Sequence, residues 1–311
     1  PMYVVASHDT SNGVGGKNTT RYFYRDAKAH LQGRGFLGFA RIEMTDPQGI
    51  VTATNYRQDY PYTGQVDMQQ TTAPGVAQPL LWLTNYWVTR VSDAGRLFPA
   101  LDATTETRAE LNGVTVTTRT TNTTYNIYGS PTATTATTSA GGQAYTQSAA
   151  NTYLHSATTP PSLANWLQVG QITSTTVLNT VPVQWADANP QGATTRTSSF
   201  TYHPDGLLKT ETIEPNNAAL WQTTTYTYDA RGNRVSATVS GAGLAQARTS
   251  TTDYGSDGLF PVRSANALGH SETRAFDGRF GSVTRQTGPN GLTTTSYYDD
   301  FGRLAREVRA D

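Results

Sequence analysis

The chain has 311 residues, of which 36% are apolar and 15% charged, and its 23 basic and 23 acidic side chains cancel to a formal net charge of zero. Balanced charge argues against a nucleic-acid binder, which needs a basic excess to grip phosphates. With no cysteine, a disulfide scaffold, a thiol nucleophile and a zinc ribbon are excluded.

The share missing from the apolar and charged classes goes to threonine, with 54 residues against only 3 lysines. Good helix formers are scarce, and β-branched and aromatic residues are common. No run approaches the roughly 18 apolar residues of a membrane helix, so no membrane insertion is expected of this segment. The chain starts at Pro1 without a basic or apolar leader and stops at Asp311 directly after a repeat unit. That reads as a piece of a longer protein.

Taken in chain order, residues 1–70 are aromatic-rich, with one helical turn conceivable over Asp26 to Leu31. Gly33-Arg34-Gly35-Phe36-Leu37-Gly38 spells GxGxxG, but an alternating strand follows it and not a helix, so a glycine-tolerant bend is the better reading. Arg41 to Thr45 alternates as a strand does, and Asp46-Pro47-Gln48-Gly49 is a turn signal. Residues 80–101 read as an apolar strand pair holding Trp82, Tyr86, Trp87 and Phe98. The Thr-, Ala- and Ser-rich stretch 103–160 reads as solvated strands. A short helix fits 162–169, where Ser162 caps a face of Leu163, Trp166 and Leu167. Asn112-Gly113, Asp205-Gly206, Asp257-Gly258, Asp277-Gly278 and Asn290-Gly291 mark further tight turns. The whole predicts an all-β chain of consecutive antiparallel hairpins with little helix. Three divisions are expected: 1–70, a Thr-rich 71–199, and a repetitive 200–311.

The last division repeats. Tyr228-Asp229-x-x-Gly232 has counterparts in Tyr298-Asp299-x-x-Gly302-Arg303-Leu304 and in Phe276-Asp277 with Gly281. Tyr202 with Gly206 carries His203 in the aspartate place, and Tyr254 with Gly258 is a degenerate copy. The aromatics lie 26, 26, 22 and 22 residues apart. In each unit the aromatic ends a strand, the aspartate accepts backbone N–H bonds within the turn, and the glycine takes positive φ. One such unit cannot bury its own face, so neighbours must stack. The recurring aspartates are therefore turn-formers and not catalysts.

These residues resemble the RHS, or YD, repeat family. Tyr298-Asp299-Asp300-Phe301-Gly302-Arg303-Leu304 matches its signature throughout, whereas Asn233 and Val235 depart from it in the copy at Tyr228. Residues 20–65, from Tyr22-Phe23-Tyr24 to Tyr60-Pro61-Tyr62-Thr63-Gly64, resemble the middle region of toxin-complex B components and SpvB-like proteins. The resemblance implies that 1–70 is the entry to a shell and that the chain forms an arc of a hollow β-cage. It further implies a secreted or cell-surface bacterial protein, partnered by the rest of the same polypeptide, its C-terminal toxin cargo and other toxin-complex subunits.

Three functions compete. The first is a non-catalytic shell segment enclosing a toxic polypeptide. The second is an extracellular adhesin presenting Trp82, Trp87, Trp166, Trp185 or Trp221 to a glycan or protein, although core burial is the plainer role for a tryptophan. The third is a glycosidase or lyase; Glu211 and Glu214 lie near each other, but nothing in the sequence marks them as a catalytic pair. His203-Pro204-Asp205 lacks metal-ligand spacing to the other histidines. No enzyme activity, metal or cofactor is expected.

Overall fold

The computed structural model describes residues 3–91, 95–155, 169–182 and 192–310. Strands β1 (Ser7–Ser11), β2 (Lys17–His30), β3 (Gly35–Thr45), β4 (Val51–Tyr56), β5 (Val66–Thr72), β6 (Leu81–Val91) and β7 (Leu97–Ala109) come first. Next are β8 (Thr115–Tyr125), β9 (Pro131–Ala140), β10 (Gln143–Tyr153), β11 (Ile172–Thr180), β12 (Ala193–Tyr202), β13 (Leu208–Ile213) and β14 (Gln222–Tyr228). The last seven are β15 (Arg234–Gly241), β16 (Arg248–Asp253), β17 (Arg263–Ala265), β18 (Ser271–Asp277), β19 (Ser282–Thr287), β20 (Thr293–Tyr298) and β21 (Leu304–Arg309). No helix occurs among the described residues. The helix expected over 162–169 falls on residues outside those described, except Val169, which sits in a turn.

Two compact units divide the chain: Pro1–Gln171 with Thr175–Thr195, and Ile172–Ser174 with Arg196–Asp311. In the first, each strand from β1 to β10 pairs antiparallel with its neighbour in sequence. In the second, β12 to β21 pair in the same way. Such a meander needs only short connections, and the turn chemistry supplies them.

Burial is shallow. Among the described residues the buried apolar side chains are Leu37, Ala53, Ala100 and Ala136. The ladders themselves carry much of the cohesion, helped by hydroxyl pairs between strands. Thr201 and Thr210 lie 2.5 Å apart, Thr212 and Thr223 2.9 Å, Thr227 and Ser236 2.6 Å, and Thr238 and Thr249 2.9 Å. Cross-strand threonines of this kind each add a few tenths of a kcal/mol, roughly 0.2–1. This accounts for the composition: a sheet with little core to fill uses methyl-bearing hydroxyls to satisfy both neighbours and solvent.

The helical turn expected over Asp26 to Leu31 is instead strand as far as His30, with Leu31 in the following turn. Asp26 takes φ +55° at an irregularity of register between Ala27 and Ala29. A single residue at positive φ bends the strand without starting a helix. The glycine-rich stretch after it forms the β2–β3 hairpin, with Gly33, Gly35 and Gly38 all at positive φ.

Candidate functional site

The most organised feature is a turn that recurs along the chain. Counting from the residue after a strand, the N–H of position 1 donates to the carbonyl of position 5, and the N–H of position 4 donates to the carbonyl of position 1. At Asp229 these bonds are 3.0 and 3.1 Å, and at Asp299 2.9 and 3.0 Å. Position 4 is glycine at positive φ, +86° for Gly232 and +76° for Gly302. This is a tight turn closed by a glycine bulge, and the register shift that accompanies it falls at the preceding aromatic.

The bulge leaves the N–H of position 5 facing the loop, and a side-chain oxygen caps it. Asp229 Oδ1 accepts from the N–H groups of Arg231 (2.8 Å) and Asn233 (2.9 Å). Asp299 Oδ1 accepts from Phe301 and Arg303 in the same way. Where position 1 lacks such a group, position 3 provides it. In the turn starting at His203, Asp205 Oδ1 accepts from the Leu207 N–H at 3.1 Å. In the turns starting at Glu110 and Gly288, Asn112 and Asn290 cap Val114 and Leu292.

The charges respond to these bonds. The Asn233 side-chain amide, followed by backbone N–H donors, holds the Asp229 carboxyl below the usual range. Asp299 is lowered first by its bond from the Arg303 N–H, and Asp277 first by the Arg279 guanidinium.

The aromatics before the turns tie successive hairpins together. The Tyr202, Tyr228 and Tyr298 hydroxyls each donate at 2.9 Å to a backbone carbonyl, of Ile172, Leu208 and Val283 respectively. Burial raises the Tyr202 phenol. Phe276 has no hydroxyl and stacks on Phe260, with centroids 4.8 Å apart. The turns also press on one another. A Cβ at Gly302 would come 2.8 Å from the Phe280 ring, and one at Gly281 would come 3.2 Å from Phe260.

Two copies depart from the pattern. Asp277 and Gly281 bracket a loop one residue longer, closed by the Gly281 N–H to the Asp277 carbonyl at 2.8 Å. At Tyr254 the carboxylate precedes the aromatic: Asp253 Oδ1 accepts from the Gly255 N–H. There Gly258 is buried against Arg231, and its carbonyl accepts from Asn233 Nδ2 at 2.9 Å. Arg303 donates through Nε to Asp299 Oδ2 at 2.7 Å, and Leu304 opens β21.

The sequence reading missed the copies in the first unit. Tyr125-Asn126-x-x-Gly129 forms the same turn, with Asn126 Oδ1 capping Tyr128 and Ser130 and the Tyr125 hydroxyl on the Leu101 carbonyl. The Tyr153 hydroxyl reaches the Pro131 carbonyl and Trp87 Nε1 the Val66 carbonyl. Asp46 and Asn266 cap turns without an aromatic before them. Allowing Asn for Asp, with Gly three places on, would have found Asn126.

The other candidates do not converge. Glu211 accepts from the Tyr226 hydroxyl, whereas Glu214 pairs with Arg196. Among the described residues no three His, Asp or Glu side chains cluster as metal ligands. Trp82 is exposed, and Trp87 and Trp221 are half-buried; Trp166 and Trp185 lie outside the described residues.

Residues 1–65 match the family model described as the insecticide toxin TcdB middle/N-terminal region. No curated protein matches the chain in sequence. Among solved structures, TcdB2-TccC3 superposes with a TM-score of 0.67 at 11% identity, over 97% of this chain and 22% of that one. TcdB2-TccC3-Cdc42 gives 0.67 at 11% identity, over 94% and 21%. A Photorhabdus luminescens Tc holotoxin pore with a mutation in TccC3 gives the same values. At that identity the likeness is one of fold, and the chain spans about a fifth of those chains. By its first 65 residues and its all-β fold, the chain resembles an RHS/TcdB-type shell region of the insecticidal toxin complexes.

Proposed function

We propose that the chain is a non-catalytic structural segment of a bacterial RHS-repeat shell that encloses a toxic polypeptide for delivery. One observation carries this reading: the recurring polar residues are consumed in building the wall. Aspartates and asparagines cap turns, tyrosine hydroxyls bind backbone carbonyls, and threonines pair across strands. The likeness to TcdB2-TccC3 supports it.

In this reading residues 1–70 are the shell entry, 71–199 continue the wall as Thr-rich hairpins, and the motif residues of 200–311 are its structural repeat. The partners are the rest of the same polypeptide, its C-terminal cargo and other toxin-complex subunits, and the protein acts outside the bacterial cell.

The test is protease protection. The native polypeptide is purified and treated with a non-specific protease before and after mild denaturation of the shell. Protection of a cargo fragment until the shell opens is the expected result. Digestion of every non-repeat segment at the rate of free polypeptide, with the repeats intact, overturns enclosure.

A further inference from the structure

Within the second unit one face of the sheet carries arginines of which none forms an ion pair among the described residues. Register and side-chain alternation place Thr225, Thr238, Thr249 and Thr251 on one face. The same face continues through Ala265 and Arg263, Thr273, Thr287 and Arg285, Thr295, and then Val308 and Arg306. It therefore carries Arg263, Arg285 and Arg306, on β17, β19 and β21. All three are exposed, and none makes an ion pair among the described residues. Arg306 stacks over the Tyr297 ring across the ladder.

The opposite face mixes paired and unpaired cations: Arg234 and Arg248 have no ion pair among the described residues, whereas other arginines there and in the turns are paired. Arg274 pairs with Glu272, Arg309 with Glu307, Arg279 with Asp277 and Arg303 with Asp299. The one strand carboxylate on the arginine face of this unit, Asp253, stands across from Arg263, and its Oδ1 is engaged by the Gly255 N–H. Three exposed guanidiniums without ion pairs thus stand in a diagonal row on a hydroxyl surface.

We propose that this row is a docking track for an extended acidic segment of the enclosed polypeptide, a reading that rests on the shell function proposed above. The three arginines occupy every second strand. At about 4.8 Å per strand, and with a step of two residues along the strand between one arginine and the next, they recur about every 12 Å on a diagonal. An extended peptide rises about 3.3 Å per residue, so carboxylates alternately three and four residues apart meet successive guanidiniums. Nucleic acid fits poorly, because a duplex carries a charge about every 1.7 Å and demands a far denser basic surface. The neighbouring Thr273, Thr287 and Thr295 offer hydroxyls to the peptide backbone between the charges. Such a track holds a chain by spaced, exposed ion pairs. Those are individually weak and release readily as ionic strength rises.

The experiment uses the 311-residue chain and a fluorescein-labelled Gly/Ser peptide with glutamates alternately three and four residues apart, read by fluorescence anisotropy at 50 and 300 mM salt. Comparison probes are a peptide of the same composition with its glutamates contiguous, one with lysine in their place, and single-stranded DNA. The proposal expects the R263Q/R285Q/R306Q chain to bind the spaced peptide at least tenfold more weakly. An R234Q/R248Q chain, altered on the opposite face, keeps the wild-type affinity, and thermal unfolding verifies that both variants fold. The proposal is overturned if the triple variant binds as tightly as wild type, or if contiguous glutamates or DNA bind as well as the spaced peptide. Protease protection of the native cargo is scored separately in the same triple variant. Enclosure that survives while spaced-peptide binding never depended on the arginines refutes the track alone. Loss of protection already in the wild type refutes the shell.

Discussion

Replacing Gly302 by alanine separates two costs that the turn architecture combines. The residue sits at φ +76°, where an L side chain costs about 1–2 kcal/mol. Its new Cβ would also stand 2.8 Å from the Phe280 ring, against an ordinary contact of at least 3.4 Å. The ring must therefore retreat by about 0.6 Å. Overpacking of this kind costs about 1–3 kcal/mol, and the low end applies because Phe280 is 41% exposed and can tilt. The total is about 2–3 kcal/mol. Gly269 provides the control: it closes the same kind of turn in the same unit at φ +82°, with nothing within 4 Å of its Cβ position. Gly269→Ala should cost only the backbone share, about 1–2 kcal/mol. Thermal unfolding by circular dichroism resolves the gap, since 1 kcal/mol moves Tm by roughly 2–8 °C for domains of this size range. In a Phe280→Ala background the Gly302→Ala cost should fall to that of Gly269→Ala. Equal losses for the two glycines, or no rescue by Phe280→Ala, would refute the claim that adjacent turns pack on each other through the missing side chain.

Tyr228→Phe deletes the donor to the Leu208 carbonyl and should cost about 0.5–1.5 kcal/mol in urea unfolding, whereas Tyr297→Phe, whose exposed ring makes no such bond, should be near neutral. Because Asp229, Asp277 and Asp299 have lowered folded-state pKa values, their contribution is present above the ordinary carboxylate pKa of 3.8. It is lost as pH falls through the folded values, so the second unit should lose Tm below about pH 4. Asp229→Asn keeps the Oδ1 cap, as Asn126 does naturally, but its Nδ2 cannot accept from the Asn233 amide, so it should lower Tm modestly at pH 7 and reduce the further loss in acid. An unchanged acid slope in that variant would mean that other groups set it.

The fold was largely legible because turn chemistry is local. Asn-Gly and Asp-Gly pairs set hairpins at short spacing, and period-two alternation did the rest. The aromatic spacing of 26 and 22 marked the repeat in the second unit. Its continuation through Tyr125 and Tyr153 was hidden, because Asn126 replaces aspartate and the sequence following Tyr153 does not carry the motif. The bend at Asp26 was misjudged, since positive φ at a non-glycine residue is a tertiary outcome that no local pattern announces. The arginine row could not be read at all. Its residues are 22 and 21 positions apart, and only the register puts them on one face.

The exchange of the capping oxygen between the first and third places of the turn bears on how such a sequence evolves. Asp46, Asn126, Asp229, Asn266 and Asp299 cap from the first place, and Asn112, Asp205 and Asn290 from the third. A lineage can therefore acquire the second cap, then lose the first, without passing through an uncapped ancestor. Each turn drifts along this neutral corridor independently of its neighbours, while the glycine, which has no substitute, stays fixed. Repeats of one origin would diverge beyond recognition at the aspartate while their backbones remained superposable, as this chain does on structures with which it shares 11% of its residues.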